Sequence, residues 1–230
     1  MVAAGSGVRF GSEIPKQFHS IGGVPVVLRA VQSFTTRPDV AQVVLVLRPA
    51  DVANPPGFLS ALSASRSSGA SPSVIIVPGG THRGDSVREG LAALPGECTV
   101  VLVHDGARPF VDPGVIDRVI GHVRRGEGAC PAIPLSDTLK EVDPHDPTRI
   151  ARTRPRSKLW RAQTPQGFPR KMLEEAHRRA AQTGRRATDD SALVESMGFT
   201  VRLVPDSSRN IKITTPEDLV LAELMAGESQ

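Results

Sequence analysis

The sequence predicts an α/β fold with a mostly parallel sheet between layers of helices, and three observations predict it. Strand-like and helix-like stretches alternate along the chain. The runs VVLVL (43–47), SVIIV (73–77) and TVVLVH (99–104) are short, β-branched and apolar on both faces, as strands buried on both sides are. The stretches between them carry helical periodicity with recognisable start signals, so successive strands are joined by right-handed crossovers.

Each element has its own reason. In 25–35, Val27, Val31 and Phe34 share one helical face. The stretch 54–73, NPPGFLSALSASRSSGASPS, reads as a loose surface connection between two strands. In 112–125, Val115, Ile116, Val119, Ile120 and Val123 form an apolar stripe, with Asp112 as N-cap and Pro113 at the first helical position. After Pro134 the rhythm breaks: TLKEVDPHDPTRIARTRP reads as two short strands around a turn, an antiparallel hairpin projecting as an arm over 135–158. Helices are expected again at 169–182 and 189–197, strands at 199–204 and 210–214, and a closing helix TPEDLVLAELMA capped by Thr215. No internal repeat interrupts this order, so residues 1–230 read as one domain carrying the arm.

Composition narrows the function classes. No apolar run approaches the ~20 residues of a membrane span, and no basic segment precedes an apolar one as in a secretory signal. Cys98 and Cys130 sit in apolar settings, which reads as two free thiols in a cytoplasmic protein. The net charge is +4 with a pI near 9.6, yet the basic residues are scattered and aromatics are only 3% of the chain, so nucleic-acid binding by base stacking is disfavoured. A small anionic substrate accounts for the arginines equally well.

Four stretches carry candidate chemistry. Ala3-Ala4-Gly5-Ser6-Gly7-Val8-Arg9 with Lys16 behind it is a loop whose backbone can approach an anion, followed by two cations that can neutralise phosphate charge; read blandly, it is a turn. His104-Asp105-Gly106-Ala107-Arg108-Pro109 follows an apolar strand, which puts Asp105 where a nucleotide–Mg²⁺ complex lies in open α/β sheets; the alternative is a strand-end Asp–Arg pair. Gly79-Gly80-Thr81-His82-Arg83-Gly84-Asp85-Ser86 leads from a strand into a helix and can read a base edge or simply start the helix. Lys212, in the otherwise apolar NIKIT, faces either a negative partner in a cleft or solvent from an edge strand. Arg152, Arg154 and Arg156 alternate, so on an extended arm they share a face. Thr188-Asp189-Asp190 reads as a helix cap.

Taken together, AAGSGVRFGSEIPKQF, RGDSVREGL, VHDGARPFV, SDTLKEV, LWRAQTPQGF, TDDSALVESMG and NIKITTPEDL resemble, in order and over nearly the whole chain, the 2-C-methyl-D-erythritol 4-phosphate cytidylyltransferase family. The resemblance implies a Rossmann-like sheet of the nucleotide-diphospho-sugar-transferase kind. It implies a Mg²⁺-dependent transfer from CTP to methylerythritol 4-phosphate with release of pyrophosphate, in the non-mevalonate isoprenoid pathway. It gives Arg9, Lys16 and Lys212 the role of stabilising charge on the α-phosphate, and Asp105 that of holding Mg²⁺. Ala3, Ala4, Gly5, Gly80 and Ser86 would line the nucleotide. Arg108 and Thr164 would lie near the acceptor, and Thr138 and Arg156 would reach across a homodimer with exchanged arms. Thr81 stands where the family can carry an acid, so a side-chain contact to the base there is open.

The resemblance also implies a hydrophobic strand ahead of the Ala-Ala-Gly loop, central in the sheet. Only Met1 and Val2 precede Ala3. The expectation is that residues upstream of Met1 complete that strand; the alternative is that Met1 and Val2 alone reach the sheet. Two other functions stay open: a ribitol 5-phosphate cytidylyltransferase, which shares the loop, the turn and the arm, and a catalytically dead CTP-binding paralogue.

Overall fold

The computed structural model describes residues 1–5, 10–12, 14–64 and 72–227. A 3₁₀ turn (Lys16–Phe18) and a ribbon of β1 (Ser20–Ile21) and β2 (Val24–Pro25) lead into α1 (Val26–Thr35). Then come β3 (Gln42–Leu47), α2 (Pro49–Ala53), α3 (Gly57–Ala64), β4 (Ser73–Pro78), α4 (Arg83–Ala92), β5 (Val100–Val103), α5 (Pro113–Arg124) and β6 (Gly128–Pro134). A hairpin of β7 (Leu139–Val142) and β8 (Ile150–Arg154) follows, then β9 (Trp160–Ala162), β10 (Gln166–Pro169), α6 (Arg170–Thr183), α7 (Asp190–Glu195), β11 (Val201–Pro205) and α8 (Pro216–Gly227).

The central sheet is mostly parallel. β3 pairs parallel with β4, and β6 with β11. β10 runs against both β5 and β6, and the short β9 runs against the end of β6. The two halves are joined through Val2, which bridges Val46 of β3 on one side and Asp105, just past β5, on the other, parallel to both. Met1 and Val2 therefore do reach the sheet. The Val2 N–H donates to the His104 carbonyl and the Ala3 N–H to that of Val46, each at 2.8 Å. The Met1 amino group donates to the Val44 carbonyl at 2.6 Å. Beneath Met1, along the same line, lies a cavity of about 430 Å³ walled by Val43, Val44, Val101, Val103, Leu91 and Ile120.

Alternating residues of the strands feed two apolar layers. Val43, Leu45 and Leu47 meet Val27, Val31 and Phe34 of α1 and Ile116 and Ile120 of α5 on one face. Val101 and Val103 meet Val87 and Leu91 of α4, Leu173 and Ala176 of α6, and Leu193 and Val194 of α7 on the other. This is the arrangement that the continuous apolar runs require, since strands covered on both faces have no solvated side.

Three expectations change. The stretch 54–73 is not wholly a loose connection: Gly57–Ala64 forms α3, because Leu59 is buried in the core and Phe58 and Leu62 pack against it, enough to anchor a short helix. Residues 210–214 form no strand. The Ile213 N–H donates to the Ala107 carbonyl at 2.8 Å, tying the segment to the turn after β5 instead of to a ladder. The strand placed at 199–204 begins at Val201 and ends at Pro205. The hairpin is found where the turn chemistry put it, with Leu139 opposite Arg154 and nearly every residue exposed.

The start of α7 is built from two side chains. Asp189 caps it by accepting from the Ala192 N–H at 3.0 Å and also accepts from Gln166 Nε2 at 2.8 Å. Gln166 Oε1, from β10, accepts the N–H groups of Asp190 and Ser191. Asp189→Ala removes the cap and leaves Gln166 Nε2 only its weak bond to Cys130 Sγ at 3.4 Å, so it is expected to cost about 2 kcal/mol in urea unfolding. A loss near zero would show that neither bond stabilises the fold.

Candidate active site

The site forms at the carboxyl ends of β3, β4 and β5, where the loops after the strands converge. Ala3 follows Val2 out of the sheet and packs on Gly106: a Cβ on Gly106 would stand 2.8 Å from that of Ala3, so the turn after Asp105 admits only glycine here. Ala4 packs on Gly79 in the same way, with Ser86 Oγ on the other side; a Cβ on Gly79 would come within 2.8 Å of both. Gly80 lies against Asp85, whose carboxylate takes the His82 N–H at 2.9 Å and so fixes the turn into α4. Thr81 is exposed. Gln17, buried in the 3₁₀ turn, donates to the Ala3 carbonyl at 2.8 Å, which keeps the neighbouring Lys16 beside the start of the glycine loop. Gly5 is exposed, and Arg9 lies outside the described residues.

Asp105 is the centre of charge. Its side chain is 11% exposed and its oxygens face three cations: Lys212 Nζ at 2.8 Å, Arg108 Nε at 3.6 Å and Arg83 Nε at 4.0 Å. Burial works against ionisation here, but the charges of Lys212 and Arg83 and the Lys212 hydrogen bond outweigh it and bring the carboxyl down to about 2. The negative partner expected for Lys212 is thus Asp105.

A buried polar lattice fixes this turn. His104 Nε2 lies 3.0 Å from the Arg108 carbonyl, so it carries the proton, and Nδ1 is left to accept from the Thr164 hydroxyl at 3.0 Å. The same hydroxyl accepts the Asp105 N–H at 3.0 Å. Arg108 Nη1 donates to the Asn210 carbonyl at 2.6 Å, and Asn210 Nδ2 donates to the Thr164 carbonyl at 2.9 Å and to Asp206 at 2.7 Å. Thr164 and Arg108 are both buried; the Thr164 hydroxyl and Arg108 Nη1 are engaged with this framework, whereas Arg108 Nε makes no hydrogen bond and only faces Asp105 at 3.6 Å. Desolvation, only partly offset by Asp105, lowers the Arg108 pKa.

Contacts at the carboxyl ends of β3, β4 and β5 therefore link Ala3 to Gly106, Ala4 and Ser86 to Gly79 beside Gly80, and Arg108, Thr164 and Lys212 to Asp105, with Lys16 next to Gln17, which is tied to Ala3. Thr138 and Arg156 are on the exposed arm, where Arg156 donates to the Ser136 carbonyl. Arg152 and Arg154 share Glu141, so their common face is already paired within the hairpin. Sequence reasoning gave no role to Arg83, His104 or Asn210, although all three lie in stretches it singled out. It also read Asp190 as a cap, whereas Asp190 is wholly buried in an ion pair with Arg83 at 2.7 Å. Nothing local marks such a pair, whose partners meet only through the fold.

Comparison with known proteins gives a consistent picture. The family model for 2-C-methyl-D-erythritol 4-phosphate cytidylyltransferase matches residues 1–228. A relative of that name from Desulforamulus reducens is 40% identical over 221 residues, covering 96% of this chain and 92% of its own length. The crystal structure of the Thermus thermophilus protein of that name aligns with a TM-score of 0.78 at 35% identity, over 98% of this chain and 97% of its own. The 4-diphosphocytidyl-2C-methyl-D-erythritol synthase structure from Anaerococcus prevotii aligns with a TM-score of 0.81 at 28% identity, over 98% and 95%.

The lattice makes the fold acid-sensitive through His104. Burial, opposed by the hydrogen bond to the Arg108 carbonyl, pushes its pKa down from 6.5 to about 4. The neutral ring is the native form, so its contribution is complete above pH 6.5 and is lost as pH falls through 4, amounting to about 3 kcal/mol. His104→Gln is expected to flatten the stability–pH curve between pH 6.5 and 4 in urea melts; an unchanged slope would assign that sensitivity to other groups.

Proposed function

The chain belongs to the 2-C-methyl-D-erythritol 4-phosphate cytidylyltransferase family, and from that premise we propose how its residues carry the transfer of a cytidylyl group from CTP to methylerythritol 4-phosphate. A phosphate oxygen of the acceptor attacks the α-phosphorus of CTP, and the bond to the β,γ-pyrophosphate breaks. No covalent intermediate on the protein is needed; positioning and charge neutralisation carry such a step. The observation that carries the reading is Asp105, a carboxylate held ionised at a strand end and ringed by Lys212, Arg108 and Arg83.

Each group then has a task. The backbone of Ala3, Ala4 and Gly5 approaches the phosphates, where side chains would block it. Gly80 and Ser86 border the base. Lys16 and Lys212, with Arg9, neutralise the charge that grows on the α-phosphate. Lys212 lies on Asp105 at 2.8 Å, so to reach a phosphate it must exchange partners as substrate arrives. Arg108 and Thr164 shape the acceptor side through the turn they hold, with Thr138 and Arg156 of an exchanged arm completing it in a homodimer. An exposed hairpin and an Arg156 whose partner is a neutral carbonyl support that last step.

Mg²⁺ belongs to the same proposal. Asp105 supplies a hard anionic oxygen, and no cluster of three or more His, Cys, Asp or Glu able to hold a metal occurs among the described residues. One carboxylate plus substrate phosphates is how Mg²⁺ is commonly bound. When bound, the ion would draw charge from the triphosphate and favour departure of pyrophosphate. A cytoplasmic site of action is also proposed, supported by the free thiols of Cys98 and Cys130. No helix among the described residues is long and apolar enough to cross a membrane. No observation favours the ribitol phosphate or inactive-paralogue readings.

Pyrophosphate release from CTP and methylerythritol 4-phosphate, with EDTA and ribitol 5-phosphate controls, tests the function. Release is expected at roughly 1 s⁻¹ or faster, with EDTA abolishing it. CTP binding without turnover would favour the inactive paralogue instead. Lys16→Ala and Lys212→Ala should each lower kcat on the order of 10²–10³-fold with the fold intact, and a change under about tenfold would remove that lysine from the transition state.

A further inference from the structure

Asp190 has no part in the mechanism above, and Arg83 enters it only as one of the cations around Asp105; the two form an ion pair whose carboxylate is wholly buried. The two oxygens of Asp190 point in different directions: Oδ1 accepts from His177 Nε2 at 2.8 Å, and Oδ2 meets Arg83 Nη2 at 2.7 Å. The Nε of that guanidinium faces Asp105 Oδ1 at 4.0 Å, a looser contact than the one to Asp190. Arg83 is thus one cation between two carboxylates, held closely by the buried one and at arm's length from the one in the site. A buried ion pair adds little net stability over apolar residues of similar volume, so stability alone does not explain it.

The pair does have a consequence for Asp105. An Arg without its own counter-charge would close on the nearest carboxylate with two parallel hydrogen bonds, which is its preferred geometry. It would then occupy the oxygens that a divalent cation needs. Lys212 can leave for a phosphate, but Arg83 is anchored in α4 and has no such exit.

We propose that Asp190 is a positioning residue: by holding Arg83 it keeps the carboxylate of Asp105 open to the Mg²⁺–nucleotide complex. This rests on the assignment of Asp105 to Mg²⁺ in the preceding section. The burial of Asp190 (0% exposed) and its depressed pKa, to which the His177 hydrogen bond and the Arg83 charge contribute against desolvation, agree with a permanent anion at that position.

The proposal predicts opposite signs for the two ends of the pair. CTP binding to the full chain is measured by calorimetry at a series of Mg²⁺ concentrations without acceptor, so that no turnover enters. Asp190→Asn leaves Arg83 uncompensated and should raise the Mg²⁺ midpoint on the order of tenfold. Arg83→Gln removes the competitor, so its midpoint should stay level or fall, and the double variant should return close to wild type. His177→Gln, which disturbs the other oxygen of Asp190, should lower the melting temperature and leave the midpoint unmoved. A folded Asp190→Asn with a midpoint within about twofold of wild type overturns the proposal, as do single variants that shift the same way. If Asp190→Asn does not fold, a raised midpoint in Arg83→Gln overturns it alone, and a level or lowered one supports it. If wild-type binding is itself indifferent to Mg²⁺, the metal assignment fails and takes this inference with it; Mg²⁺-dependent wild type with unresponsive variants sinks only the inference.

Discussion

A carboxylate that remains ionised while almost withdrawn from water is the constraint around which this protein is organised. Asp105 cannot hold its charge at the end of β5 without nearby cations, and each of them is delivered by a different part of the chain. Arg108 comes from the same turn, Arg83 from the start of α4, and Lys212 from the irregular segment before α8. The segment containing Lys212 forms no strand because its backbone is tied to Ala107 and its side chain to Asp105. Its conformation is set by the site more than by a sheet. The buried amide and hydroxyl bonds of Thr164 and Asn210, and those to the His104 ring, then keep the turn from relaxing toward solvent.

The glycine loop is held by the same geometry. Its first residues leave the sheet between β3 and β5, where Val2 is bonded on both sides. They pass over Gly106 and Gly79, and Gln17 fastens the Ala3 carbonyl from behind. Each fixed contact is to backbone or to a methyl group. The small side chains of Ala3 and Ala4 permit the close approach to Gly106 and Gly79, and three cations gather beside them on Asp105.

The legible part of the fold was the part with strong periodicity. β3, β4 and β5 stand out because β-branched residues run through them without polar interruption, and α5 because its apolar stripe follows a clear cap and first-turn proline. β6 and β10 escaped, since GACPAIP and QGFP are dominated by glycine, proline and small residues that carry no pattern. Their pairing comes from the partners on either side. In the site, Asp105 and Lys212 were readable as a strand-end acid and a charge in an apolar segment. Asp190 was not: a helix-start aspartate next to another looks like a redundant cap, and only the fold reveals that Asp189 does the capping while Asp190 turns inward to Arg83 and His177.

The arm follows a related logic of charge. Its three alternating arginines looked equivalent in the sequence, all on one face of an extended strand. Pairing within the hairpin separates them, because the single carboxylate of Glu141 takes both Arg152 and Arg154 and is itself driven down to about 2 by their hydrogen bonds. Arg156, at the base, donates to the Ser136 carbonyl, which orients the guanidinium without cancelling its charge. Among the described residues no acid is paired with it. A cation oriented but not neutralised keeps its attraction for a phosphate, whereas one already bound to a carboxylate must first be released. On that ground the three arginines separate: Arg152 and Arg154 are closed within the hairpin by Glu141, and Arg156 keeps an unneutralised charge.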